Sequence, residues 1–234
     1  MSHSPAMPAD APHDALPNPE PRHWQRPKVC EGGTNIILTG YMGVGKSTVG
    51  RLLASTMAYR FVDTDKLLEK RSGQSIRQLF TEAGETAFRA QEDALLAELL
   101  TQRYQIIATG GGTLVRESTW DHIRAAGQGA VRVVYLSAPV ALLFERVIFS
   151  PKDRPLLDAP DAEAQFYARF AQREPFYQRA DITIPTTRGK AHSVADAVLA
   201  ALSDLPMVAL PPSSTSTHWV DTIIDPSCES PSWT

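Results

Sequence analysis

The apolar run Asn35-Ile36-Ile37-Leu38-Thr39 leads without a break into Gly40-Tyr41-Met42-Gly43-Val44-Gly45-Lys46-Ser47. Those eight residues fit G-x-x-x-x-G-K-[ST], the Walker A pattern, whose glycines let backbone N–H groups curl around phosphates. Behind it, Val49, Leu52, Leu53 and Met57 recur close to a 3.6-residue spacing, so the loop joins a buried strand to an amphipathic helix. A helix in that place turns the positive end of its dipole on the same phosphates. A glycine-rich turn arising by chance has no reason to carry both flanks. The nucleotide contacts fall to Gly43, Val44, Gly45, Lys46, Ser47 and Thr48. Lys46 reaches the β- and γ-phosphates, and the Ser47 hydroxyl ligates Mg²⁺.

The rest of the middle alternates short apolar runs with amphipathic stretches. Arg60 to Asp63 reads as a short strand. Ser75-Ile76-Arg77-Gln78 is a capping-box pattern opening a helix with Ile76, Leu79, Phe80 and Ala83 on one face. Gly84 interrupts that helix, and a second pattern runs through Phe88, Leu95, Leu96, Leu99 and Leu100. Gln105 to Thr109 is a buried-strand run ending in Gly110-Gly111-Gly112, and Val131 to Leu136 is another. Pro139 sits where a helix begins at no cost. Helices near 162–179 and through Ala195, Val198, Leu199 and Leu202 flank a strand at 181–184. Strands alternating with helices predict a three-layer α/β/α fold around a central parallel sheet.

Proline sets the limits of that domain. Of 18 prolines, seven lie in the first 30 residues and five in the last 30, a density that prevents continuous helices or ladders. The expectation is a disordered Pro-rich tail at 1–32, one domain at 33–204, and a disordered acidic tail at 205–234. Residues 31–204 carry 20 Lys+Arg against 20 Asp+Glu, so the net charge of −3 belongs to the C-terminal tail. A neutral core argues against nucleic-acid binding, which relies on a basic face. Fifteen of the 20 core cations are arginines, the planar binders of carboxylate and phosphate. Cys30 and Cys228 form no zinc spacing or disulfide framework. With no apolar leader and no 18-residue apolar run, the expectation is a cytoplasmic protein, a monomer with no membrane contact.

The class of nucleotide protein narrows further. Guanine-reading proteins need an Asn-Lys-x-Asp element, and neither Asn18 nor Asn35 precedes a lysine. No later strand ends in the acidic pair of motor ATPases. A domain of this size fits the small-molecule kinases. Asp63-Thr64-Asp65 follows the second strand and therefore lies at the carboxyl edge of the sheet, where ligands bind in open α/β folds. Asp63 and Asp65 are read in an extended segment, one addressing Mg²⁺ and the other an acceptor hydroxyl. A lone D-x-D is otherwise a solvated turn. Gly110-Gly111-Gly112 reaches the same edge and offers bare backbone for close approach by a ligand, where a merely flexible connection needs no such run. By position alone, Arg89 and Arg173 read equally well as surface arginines.

Taken together, Gly40 to Thr48, Phe61-Val62-Asp63-Thr64-Asp65, Phe88-Arg89, Gly110-Gly111-Gly112, Arg154-Pro155-Leu156-Leu157 and Arg173-Glu174-Pro175-Phe176-Tyr177 resemble the shikimate kinases, in the family's order and across the whole core. The resemblance implies a P-loop kinase fold like that of the nucleoside monophosphate kinases, with a mobile lid. It implies phosphorylation of the 3-hydroxyl of shikimate by ATP with Mg²⁺. Asp65 then binds the acceptor hydroxyls, Lys46 and Arg154 neutralise the phosphates, and Arg154 rides on the lid. Arg89 and Arg173 hold the shikimate carboxylate, with Gly110, Gly111 and Gly112 beside it. Ser47 ligates Mg²⁺ directly and Asp63 positions it through water. Family members place an adenine-contacting arginine seven residues before the lid arginine. Here Arg146 lies eight before Arg154, leaving Arg146 as the candidate for stacking on adenine and Arg188 as a flanking residue. The rival readings are a gluconate-type kinase, which has no need of Arg89 and Arg173 together, and a kinase-like module without turnover, which has no need of intact Lys46, Ser47, Asp65 and Arg154.

Overall fold

The structure, a computed structural model, describes residues 33–127, 129–150, 161–187 and 190–205. The two expected tails, most of the expected lid with Arg154, and Arg188 lie outside the described residues. Five strands, β1 (Asn35–Thr39), β2 (Arg60–Asp63), β3 (Gln105–Ala108), β4 (Val131–Ser137) and β5 (Ile182–Pro185), alternate with helices α1 (Lys46–Met57), α2 (Thr64–Ser72), α3 (Ile76–Leu100), α4 (Glu117–Ala125), α5 (Val140–Ile148), α6 (Ala162–Tyr177) and α7 (Ala191–Ser203). The strands form one sheet in the order β2-β3-β1-β4-β5, and every pairing is parallel.

The sheet is covered on both faces because its central strands are continuous apolar runs whose successive side chains point to opposite faces. Ile36, Leu38 and Ile106 pack into one core cluster with α1 and α7, while Ile37, Ile107 and Val133 pack into the other with α3 and Trp120 of α4. Both central strands β1 and β3 are buried along their whole length. No helix among the described residues is long and apolar enough to cross a membrane.

The capping box is present: Ser75 Oγ accepts from Gln78 N, and the Gln78 side chain accepts from Ser75 N. Gly84 breaks α3 into two helices, with φ 78° and ψ 165°, a region that only glycine occupies without strain. The kink lets the second half of α3 turn Phe88, Leu95, Leu96 and Leu99 onto the sheet. Two elements differ from the sequence expectation. Asp63-Thr64-Asp65 is not extended, because Asp63 ends β2 and caps α2, so Asp65 lies in a helical turn. A short 3-10 turn (Thr113–Val115) and α4 follow the glycine triplet, additional elements between the strand runs expected at 105–109 and 131–136.

Strand order sets the position of the site. From β1 the chain crosses to β2 on one side, and from β3 it crosses to β4 on the other. The loops after β1 and β3, adjacent strands, therefore part in opposite directions and leave a crevice at their carboxyl ends. Replacing Gly84 with alanine should cost about 2 kcal/mol through backbone strain alone, since an added Cβ meets nothing within 4 Å. A thermal melt is expected to fall by roughly 4–8 °C; an unchanged melting temperature would show that the kink is not required.

Candidate functional site

Three loops at this edge meet around a cleft of about 640 Å³. The first is the glycine loop after β1. Gly45 enters α1 with φ 99°, and Lys46 Nζ donates to the carbonyl oxygens of Gly40 at 2.7 Å and Tyr41 at 3.2 Å. The ammonium is thereby folded back over its own loop.

The second loop joins β2 to α2. The Asp63 carboxylate accepts from Lys66 N at 3.3 Å, capping the helix, and from Ser47 Oγ at 2.7 Å. Ser47 is the residue that immediately follows the Walker lysine, so two oxygens stand together beside the phosphate cradle. Thr64, buried between the two aspartates, receives the N–H of Gly110 on its hydroxyl at 3.1 Å and so pins this loop to the third.

The third loop is the glycine triplet after β3, and its glycines have different reasons to be there. A Cβ on Gly110 would lie 2.6 Å from Asp65 Oδ1 and 2.9 Å from Glu92 Oε1; one on Gly112 would lie 2.4 Å from Arg89 Nη1. A Cβ on Gly111 would meet nothing nearer than 3.6 Å. The outer glycines make room for the protein's own side chains, and only the middle one is open.

Behind the triplet, α3 supplies a buried ion pair. Glu92 is 2% exposed and accepts from Arg89 Nη1 at 2.5 Å and from Thr113 Oγ1 at 2.7 Å. Arg89 also reaches Glu85 at 3.2 Å and lies over the rings of Phe80 and Phe88 at 5.4 and 5.5 Å. A buried carboxylate needs such partners to repay its lost hydration. Across the cleft, Arg173 on α6 lies over the ring of Tyr41, 5.9 Å from its centre. The Tyr41 hydroxyl donates back to the Phe166 carbonyl of α6 at 3.0 Å.

Asp65 has an altered acidity. Burial first, and then the Glu92 carboxylate, raise it from the usual range to about 6; Lys46 pulls it back, and Asp63 and Glu69 add smaller upward effects. A carboxyl poised near neutrality in a cleft fits the handling of protons.

Of the predicted site residues, Gly43, Gly45, Lys46, Ser47, Thr48, Asp63, Asp65, Gly111, Arg146 and Arg173 line the cleft. Val44 is buried in the core beneath the loop, and Gly110, Gly112 and Arg89 form the layer behind the wall. Arg146 Nη1 donates to Thr186 Oγ1 at 3.1 Å and Nη2 to the Thr186 carbonyl at 2.7 Å, tying α5 to the segment after β5. Sequence reasoning missed Glu92 and Thr113. The only sequence signal for Glu92 was its i,i+3 spacing from Arg89.

A parallel sheet in this order, a Walker A loop at its switch point and an acidic loop opposite define a P-loop kinase fold of the nucleoside-monophosphate-kinase kind. The sequence profile described as shikimate kinase matches residues 42–203. A shikimate kinase from Halorhodospira halophila is 40% identical over 185 residues, covering 79% of this chain and 98% of its own. The structure of a shikimate kinase from Acinetobacter baumannii in complex with shikimate superposes with a TM-score of 0.67 at 35% identity, covering 75% of this chain and 96% of its own. That of a shikimate kinase from Aquifex aeolicus gives 0.61 at 33% identity, covering 72% and 96%. The chain belongs to the shikimate kinase family.

The Asp65 environment makes a stability prediction. The unfolded carboxyl ionises near its ordinary value of about 4 and the folded one only near 6, so the wild type loses stability as pH rises through that window. Asp65→Asn removes the penalty. Denaturant unfolding should show the variant more stable by about 2 kcal/mol at pH 8, allowing for partial exposure, with the gap closing by pH 4. A variant less stable than wild type at pH 8 would contradict this account.

Proposed function

We propose that this chain transfers the γ-phosphoryl group of ATP to the 3-hydroxyl of shikimate, giving shikimate 3-phosphate and ADP. The observation that carries the reading is the cleft itself. It has a phosphate cradle at one wall, a carboxyl of raised pKa in the middle, and an arginine beside an open glycine at the far end.

Phosphoryl transfer asks the protein mainly to align the two reactants and neutralise spreading charge. The Walker loop, with Gly43, Gly45, Lys46, Ser47 and Thr48, holds the triphosphate, and Lys46 exchanges its carbonyl partners for phosphate oxygens. Arg146 and Arg188 are assigned to the adenine side, and Arg154 to the phosphates. Ser47 Oγ and the Asp63 carboxylate are 2.7 Å apart. This sparse oxygen pair suits Mg²⁺, which keeps most of its sites for phosphates and water, and these two residues would hold it. The ion, when bound, supplies positive charge to the β- and γ-phosphates.

The acceptor is held at two ends. Its carboxylate lies against Arg173 and Gly111, with Arg89 reaching it once released from Glu85. Two arginines on one carboxylate give a directional, charge-assisted grip. Asp65 takes the hydroxyl end. As the hydroxyl oxygen bonds to the γ-phosphorus and the bridging bond to ADP breaks, its proton passes to Asp65. Burial and Glu92 strengthen the hold of Asp65 on that proton, and above about pH 6 the carboxylate is ionised and able to accept it. We assign the protein to the cytoplasm and to a monomeric state, with ATP and shikimate as its partners.

The test is ADP release from ATP and Mg²⁺ with shikimate or gluconate as acceptor. Shikimate-dependent release is expected, with kcat/KM rising through an apparent pKa of about 6. Asp65→Asn should lose turnover by about a thousandfold or more while still binding ATP. Release with gluconate alone would install the rival substrate. Loss of ATP binding in Asp65→Asn would contradict the acceptor-side role.

A further inference from the structure

Arg173 and Tyr177 lie one turn apart on α6, and Tyr177 is that helix's last residue, two places after Pro175. Proline here removes an N–H and crowds the preceding turn, and the helix stops with Tyr177 facing inward. The side chain is fully buried, with its ring against that of Tyr135, 5.3 Å between centres. The Tyr177 hydroxyl donates to the Gly111 carbonyl oxygen. Arg173 brings its positive charge close enough to act on the same hydroxyl. A Cβ built on Gly111 would lie 3.6 Å from Arg173 Nη1 and 3.7 Å from the Tyr177 oxygen. Three groups from two distant parts of the chain thus converge on one point of the cleft wall.

The chemistry of a phenol suits this position. It has one proton to donate and lone pairs to accept with. The proton goes to Gly111, which leaves the oxygen's lone pairs for the positive charge of Arg173. Burial keeps the proton in place by pushing the hydroxyl's pKa well above its ordinary value. Because a peptide unit is planar, fixing the Gly111 carbonyl fixes the whole Gly111–Gly112 unit. Glycine gives up more conformational freedom than any other residue when held still, so an anchor at this point matters more than at an ordinary residue. The Arg173 guanidinium, meanwhile, lies over the Tyr41 ring and close enough to the hydroxyl for its charge to act on it.

We propose that Tyr177 is a positioning residue whose hydroxyl joins Arg173 and Gly111 into one rigid clamp for the acceptor's carboxylate. The proposal rests on the reading of Arg173 and Gly111 as carboxylate-binding groups. It assigns the role to the oxygen and not to the ring. Its effect falls on acceptor binding and not on the nucleotide or on phosphoryl transfer, because Asp65 and Lys46 belong to other loops.

The experiment compares wild type and Tyr177→Phe in steady-state kinetics. The acceptors are shikimate and a ring analogue whose carboxylate is replaced by hydroxymethyl. Absence of shikimate turnover by wild type overturns the substrate reading and this inference with it. Given wild-type turnover, Tyr177→Phe should raise KM for shikimate about tenfold. KM for ATP and kcat should stay within about threefold, and the variant should match wild type on the carboxylate-free analogue. An unchanged KM for shikimate, or an equal loss on both acceptors, would overturn the role of Tyr177 and leave the substrate reading intact. Placing 4-fluorophenylalanine at position 177 fills the volume with no proton to donate. It should show the same selective loss even where the phenylalanine variant folds poorly. 4-Aminophenylalanine, which restores a donor, should recover the KM; failure to do so would count against the proposal.

Discussion

The pairing of β3 between β1 and β2 is the constraint on which everything else depends. Its parallel register sets Leu38, Ala108 and Asp63 side by side. The glycine loop, the glycine triplet and the acidic loop therefore leave the sheet at one level. A slip of one residue would turn Ile106 and Ile107 to the wrong faces and would carry the triplet away from Asp65. Buried strands with residues committed to two different cores make such a slip costly. The hydrophobic pattern thus determines where the chemistry sits.

Within that frame, the polar groups are arranged by exclusion as much as by attraction. Glu92 is buried and tied to Arg89 and Thr113, and it stands close enough to Asp65 to raise its affinity for a proton. Gly110 and Gly112 exist so that Asp65 and Arg89 can press against the backbone. The cost is a carboxyl the fold would rather keep neutral. Such locally unfavourable placement is commonly tolerated at sites where activity requires it.

Much of this was legible in the sequence, because the signals were local or strongly periodic. The Walker pattern came with its strand and helix, the Ser75–Gln78 box marked a helix start, and Gly84 marked the kink. The acidic loop was placed at the right edge but given the wrong backbone. Asp63 caps a short, highly charged helix, and Lys66, Glu69, Lys70 and Arg71 hide the two apolar residues Leu67 and Leu68 that seat it. α4 was missed for a similar reason: its nine residues bury only Thr119 and Trp120. Glu92 and Tyr177 were illegible as site residues because their partners are distant. An acid or a phenol on a helix acquires such a role only when tertiary packing brings Thr113 or Gly111 beside it. The purpose of the triplet also changed, from three open glycines to one open glycine between two that yield space.

The central claim is that the acceptor is gripped at opposite ends, carboxylate by arginine and hydroxyl by Asp65. A crystal structure of the chain with ADP, Mg²⁺ and shikimate tests it most directly. The account predicts the shikimate carboxylate within hydrogen-bond distance of Arg173 and Arg89, and the 3-hydroxyl within hydrogen-bond distance of the Asp65 carboxyl. A reversed ring, with its carboxylate toward Lys46, or an acceptor bound away from Asp65, would contradict it.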